Sequence, residues 1–215
     1  MTEDSPGGVT WYFDVISPFA YLALPAVEAL ARRRPVAWRP IVFGAVLGHW
    51  GQLGPAEIAP KRIATYRLCQ FLADRAGVPF RFPPRHPFRS LEALRILAAL
   101  DGDAAAVRTV FDFVWAEGRD PGDPAERDAL CARLGAGEYD TLVDAGAKAR
   151  LRAWTDQALA AGVFGVPTLA AGGELFWGLD AMPMAEAYLA DPGLLTRGEM
   201  ARVSSLPEGV GRKIG

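Results

Sequence analysis

The chain has 215 residues, 51% of them hydrophobic, which is enough to bury a sizeable core and excludes a disordered chain. Its 23 Lys and Arg against 25 Asp and Glu leave a formal charge of -2, with no general attraction for nucleic acid or anionic lipid. Two cysteines, Cys69 and Cys131, lie far apart with no C-x-x-C between them, and only His49 and His86 are present, so neither a dithiol motif nor a metal site is expected.

Met1 to Gly8 is polar, without the basic start and apolar stretch of a secretory leader, and no run approaches membrane-spanning length. A cytoplasmic protein with no membrane contact is the expectation. Trp11 to Ile16 is an apolar β-type run that stops at Ser17, and Pro18 opens a helix. Ser17 is thus a natural N-cap with proline at the first helical position. Unpaired N–H groups and the positive end of the helix dipole let this junction hold an anion.

The helix is expected over Pro18 to Arg34, kinked at Pro25, with Arg32-Arg33-Arg34 suiting the dipole at its end. Val36 to Phe43 reads as a second strand, with Pro40 favouring an edge or a strand end. Gly44 to Pro60 reads as a loop. Helical patterns follow at Lys61 to Ala76, Ser90 to Leu100, Ala104 to Glu117, Pro124 to Leu134 and Ala147 to Ala161, separated by Gly, Pro and Asp breakers. Both cysteines fall in these segments and read as packed apolar side chains.

From Gly162 the pattern returns to β. Two short runs joined by Gly172-Gly173 make a hairpin signature. Asp180 reads as the N-cap of a last helix, Ala181 to Leu189, and the tail from Asp191 as loosely packed. This order defines an α/β chain with a thioredoxin-like fold, residues 9–43 and 162–190, interrupted by an all-helical insertion, residues 44–161, and followed by a tail, residues 191–215. In that layout Ser17 faces Val166-Pro167. The proline is expected to be cis and to expose the Val166 N–H and C=O to an extended peptide-like ligand.

Four passages carry a resemblance that spans Thr10 to Leu189: F-D-V-I-S-P-F-A-Y-L at 13 to 22, G-V-P-F-R-F-P at 77 to 83, V-W-A-E-G-R-D at 114 to 120, and G-V-F-G-V-P-T with F-W-G-L-D at 162 to 180. Together they make the chain similar to the 2-hydroxychromene-2-carboxylate isomerases and the kappa-class glutathione transferases, in the DsbA-like branch of the thioredoxin superfamily. The resemblance implies glutathione as cofactor, with Ser17 as the catalytic residue that hydrogen-bonds its sulfur and favours the thiolate. A charge-assisted hydrogen bond of about 1.5–3 kcal/mol and a helix N-terminus of about 0.3–1 would lower a thiol pKa by about 1–3 units.

By the same resemblance Val166 and Pro167 meet the cysteinyl residue, Trp177, Gly178, Leu179 and Asp180 surround the γ-glutamyl end, and Lys61 or Arg62 meets a carboxylate. Leu47, Gln52, His86 and Arg89 fall where a second, aromatic carboxylate substrate is expected, with Arg85 or Arg89 as its cation, and a homodimer is implied. Several positions depart from the family pattern. Leu47 and Gln52 stand where a lysine and an asparagine are common, Leu179 sits inside W-G-L-D, and H-P-F-R-S at 86 to 90 replaces F-P-x-N-T.

Each of these residues also has a structural reading: Ser17 and Asp180 as caps, Trp177 as core, Lys61 and Arg62 as solvated charges, His86 as a surface loop residue. The function expected is cis-trans isomerisation of an unsaturated aromatic acid by reversible thiolate addition. The alternatives are a kappa-like transferase or peroxidase and a noncatalytic thioredoxin-fold peptide-binding protein.

Overall fold

The computed structural model describes residues 8–209. The polar N-terminal segment falls outside them up to residue 7, as does the end of the tail from residue 210. Strands Val9–Phe13 (β1), Val36–Pro40 (β2), Thr168–Ala171 (β3) and Glu174–Trp177 (β4) form one sheet in the order β2-β1-β3-β4. β1 pairs in parallel with β2 and antiparallel with β3, setting Trp11 opposite both Trp38 and Leu169. As a central strand covered on both faces, it is almost continuously apolar. β2 is an edge strand that ends at Pro40, as the missing N–H of proline favours.

β1 stops at Phe13, three residues short of the expected end. The Asp14 side chain turns the chain there, its Oδ1 accepting the Ile16 N–H at 3.0 Å. Helix α1, Pro18–Ala31, runs unbroken through Pro25, whose ring is exposed. The arginine run follows the helix instead of closing it, and Arg33 pairs with Glu186 at 2.7 Å.

Helices α2 (Phe43–Trp50), α3 (Ala59–Ala76), α4 (Leu91–Ala99), α5 (Ala104–Phe111), α6 (Pro124–Arg133), α7 (Tyr139–Leu142) and α8 (Ala145–Ala160) fill the span between β2 and β3. The expected loop over Gly44 to Pro60 is therefore corrected, since it holds α2 and a short 3-10 turn at Pro55–Glu57. Tertiary bonds override the poor helical propensity of Gly44 and Gly48. Val42 N–H donates to Thr155 Oγ1 at 3.2 Å, and Trp50 Nε1 donates to the Val163 carbonyl at 2.9 Å. α5 ends at Phe111, where a wider π-type turn, Asp112–Ala116, replaces the expected continuation.

The hairpin turns at Gly172-Gly173 as expected. Helix α9, Met182–Ala190, follows a 3-10 turn, Leu179–Ala181. Asp180 lies inside that turn, and Ala181 occupies the N-cap without a side-chain bond, so the capping role expected of Asp180 is corrected. The tail is also better formed than expected: a 3-10 turn, Pro192–Thr196, packs on a short helix α10, Gly198–Val203. Beneath the helices, Trp11 stacks on Phe13 at 4.4 Å, meets Trp38 edge-on at 5.2 Å, and is joined by Phe111, 5.5 Å from Phe13. Cys69 and Cys131 are buried in α3 and α6. Among the described residues no helix is long and apolar enough to cross a membrane.

Candidate active site

The four residues from Asp14 to Ser17 join β1 to α1, and distant side chains hold their backbone. Ser17 N–H donates to the Asp14 carbonyl at 3.0 Å. Trp115, aimed by the π-type turn, donates from Nε1 to the Val15 carbonyl at 2.8 Å. His86 Nε2 lies 2.9 Å from the Ile16 carbonyl, an atom that can only accept, so Nε2 carries the proton. Asp14 Oδ2 accepts the Phe43 N–H at 3.0 Å, fixing the start of α2 to the same junction. Burial pushes the Asp14 carboxyl up to about 6, against the lowering effect of its bonds from Ile16, Phe43 and Ser90.

Ser17 is buried and caps α1, its Oγ accepting the Ala20 N–H at 3.3 Å. A capping oxygen uses a lone pair only, so the hydroxyl proton stays available to a ligand. The Phe19 N–H has no partner among the described residues, as the first turn of a helix leaves it. The junction is thus a pair of donors at the positive end of α1, and no sulfur is near it in sequence. Burial pushes the thiol of Cys69 up to about 12 and raises that of Cys131.

Tyr12 pairs with Thr168 across β1 and β3, which brings the turn before β3 to the same end of the sheet as this junction. The Val166-Pro167 peptide is cis, as expected from the sequence. The Pro167 carbonyl accepts the Gly178 N–H at 2.8 Å, and Thr168 Oγ1 donates to the Gly165 carbonyl at 2.8 Å. Between them the Val166 side chain is buried, while its N–H and C=O make no hydrogen bond among the described residues. That is an open place for an added strand.

Trp177 lies against this turn. A Cβ on Gly165 would stand 2.3 Å from its Nε1, so it is glycine that lets the side chain lie this close. Trp177 is 52% exposed and its indole meets the ring of the exposed residue Phe164 edge-on at 5.2 Å, which corrects the core reading of Trp177. Gly178 takes φ 93, and a Cβ there would lie 2.5 Å from Asp180 Oδ1, so the carboxylate curls back over the glycine. The turn carrying Leu179 and Asp180 packs against α1.

The remaining expected residues are less gathered. Lys61 is exposed at the start of α3, and Arg62 bonds the Ala56 carbonyl at 3.4 Å. One turn on, Tyr66 meets His86 Nδ1 at 2.7 Å, so α3 reaches the junction through that ring. The surface reading of His86 is corrected: its ring is enclosed by Tyr66, Phe82, Phe88 and Trp115. Leu47 packs near Gly54, and Gln52 is exposed past the end of α2. Arg89 pairs with Glu92 at 3.0 Å and Arg85 with Asp120 at 2.6 Å, so both arginines expected to meet a carboxylate already hold one.

The sheet, the capped helix start and the cis-proline opposite it define the thioredoxin fold. The chain belongs to the DsbA-like thioredoxin family, whose model, described as a DSBA-like thioredoxin domain, matches residues 8–190. Among curated proteins it is 32% identical to the 2-hydroxychromene-2-carboxylate isomerase of Sphingobium xenophagum, over 85% of this chain and 98% of that protein. It is 28% identical to glutathione S-transferase kappa 2 of Caenorhabditis elegans, over 86% of this chain and 92% of that protein. A solved 2-hydroxychromene-2-carboxylate isomerase superposes with a TM-score of 0.70 at 29% identity, covering 92% of this chain and 99% of the other.

Proposed function

We propose that this chain is a glutathione-dependent isomerase of the 2-hydroxychromene-2-carboxylate type. One observation carries the proposal: a donor hydroxyl at a helix N-terminus, Ser17, shares one end of the sheet with the N–H and C=O of Val166, unpaired among the described residues. Glutathione offers a peptide backbone for the second and a thiol for the first. Relatives named as isomerases, one matched over 98% of its length, support the reaction class. In this assignment Asp180 accepts from the γ-glutamyl ammonium group beside Trp177, Gly178 and Leu179, while Lys61 or Arg62 meets a carboxylate of the tripeptide.

Ser17 O–H donates to the sulfur and favours its anion. The thiolate adds to the electron-poor double bond of an unsaturated aromatic acid, and the π pair moves onto the conjugated carbonyl as an enolate. The former double bond is then single and rotates. When the enolate re-forms the double bond, it expels the thiolate, and the products are the other isomer and unchanged glutathione. Leu47 and Gln52, on and after α2, are the candidates for the aromatic substrate's walls.

A kappa-like transferase would use the same thiolate but consume it, and the 28% identity to the Caenorhabditis elegans transferase favours that second function. Product analysis separates them. Isomerisation of hydroxychromene carboxylate should require glutathione while leaving its concentration unchanged. Stoichiometric loss of glutathione would overturn the isomerase proposal.

A further inference from the structure

We propose that His86 is a positioning residue for the Ser17 site, holding the Ile16–Ser17 peptide by a hydrogen bond from Nε2 to the Ile16 carbonyl, with Tyr66 clamping the other side of the ring. The Ile16–Ser17 peptide is tied at both ends. Its N–H, on Ser17, donates to the Asp14 carbonyl at 3.0 Å, and its C=O receives the His86 proton at 2.9 Å. With the carbonyl held toward His86, its partial negative charge is kept from swinging toward an anion beside Ser17. The first-turn donors of α1 are thereby preorganised instead of being recruited when the ligand arrives.

The ring itself has little freedom. Tyr66 Oη lies 2.7 Å from both His86 Nδ1 and the His86 carbonyl, and the rings of Trp115 and Phe82 stand 5.6 and 5.8 Å from the imidazole. Among the described residues Tyr66 is the only titratable side chain bonded to the ring, and the positive charge of Arg62 acts on Tyr66. Both ring nitrogens are used within the protein. His86 therefore acts through Ile16, not as a proton donor to substrate.

The inference rests on glutathione being the ligand of Ser17, and the test separates the two. His86→Phe keeps the ring packing and removes both polar bonds, whereas His86→Gln can restore a donor near Nε2. The apparent pKa of bound glutathione, followed by ultraviolet thiolate absorbance, should rise by about one unit in His86→Phe and return most of the way in His86→Gln. Tyr66→Phe should give a smaller rise. Binding of S-methylglutathione, which has no thiol to ionise, should stay within about twofold throughout.

An unchanged thiol pKa in His86→Phe overturns the inference, as does an equal rise in the Phe and Gln variants, which would mean packing alone. If the wild type binds neither glutathione nor S-methylglutathione, the proposed function fails instead. Amide exchange at Ser17 in the free protein then decides the positioning claim: about tenfold faster in His86→Phe but not in His86→Gln supports it, and equal rates in all three proteins overturn it.

Discussion

Two segments meet at one end of the sheet and are built in opposite ways. From Asp14 to Ser17 the backbone is strapped by side chains from residue 86 and residue 115, and by its own aspartate. In the turn from Gly165 to Pro167 the Val166 N–H and C=O have no hydrogen-bond partner among the described residues. A reacting group gains from being held before the ligand arrives, because its donors then need no reorganisation. A strand-pairing site must instead keep its bonds unsatisfied until the ligand supplies them. Under the proposed function, that contrast matches chemistry at the first segment and recognition at the second.

The largest expected effect breaks the chemical half. Ser17→Ala should lower kcat/KM about 10–1000-fold, with a stability loss of only about 1 kcal/mol from the missing cap, measured by turnover and by urea unfolding. The next effect is one of pH. Asp14 has an ordinary value of 3.8 and a folded value of about 6, so between these values the folded state holds a proton that the unfolded state releases. Stability from this group is therefore highest below about pH 4 and falls by on the order of 3 kcal/mol as pH rises through 6. The difference in unfolding free energy between wild type and Asp14→Asn should trace that slope. His86 works in the opposite sense: burial lowers its pKa below 6.5, so its contribution is lost as pH falls below that value.

Trp115→Phe leaves the Val15 carbonyl without a donor, which should cost about 1–3 kcal/mol in denaturant unfolding. On the recognition side, Gly165→Ala forces Trp177 away from the turn. Since that indole is half exposed, stability should change little, while the glutathione dissociation constant rises about fivefold by calorimetry. The smallest expected signal is from the protein's own thiols. Cys69, pushed up to about 12, and the buried Cys131 should be silent to thiol reagents in the native state.

The sequence made the β-α-β, helices, β-β-α order legible because apolar runs and proline and glycine breakers are local signals. The Ser17 cap was legible from local signals and the cis-proline at Val166-Pro167 from the fold order, whereas their joint role at a glutathione site came only from the family resemblance. The strap on the junction was hidden. No local signal marks Asp14, Tyr66 or Trp115 as partners of this junction; only the fold brings Trp115 to a carbonyl 100 residues away. α2 was missed because its helicity depends on Thr155, Asp14 and Val163, none of which is near in sequence. The pairing of Arg85 with Asp120 likewise depends on side-chain geometry that spacing does not encode, whereas Arg89 and Glu92, three residues apart, were readable as a pair.

The central claim is that Ser17 at the start of α1 holds a glutathione thiolate. The direct measurement is titration of bound glutathione by ultraviolet thiolate absorbance in wild type and Ser17→Ala. In the wild type the bound thiol should titrate about 1–3 units below the free value, with most of that shift lost in the variant. The same pKa in both proteins, or no binding of glutathione to the wild type, would contradict it.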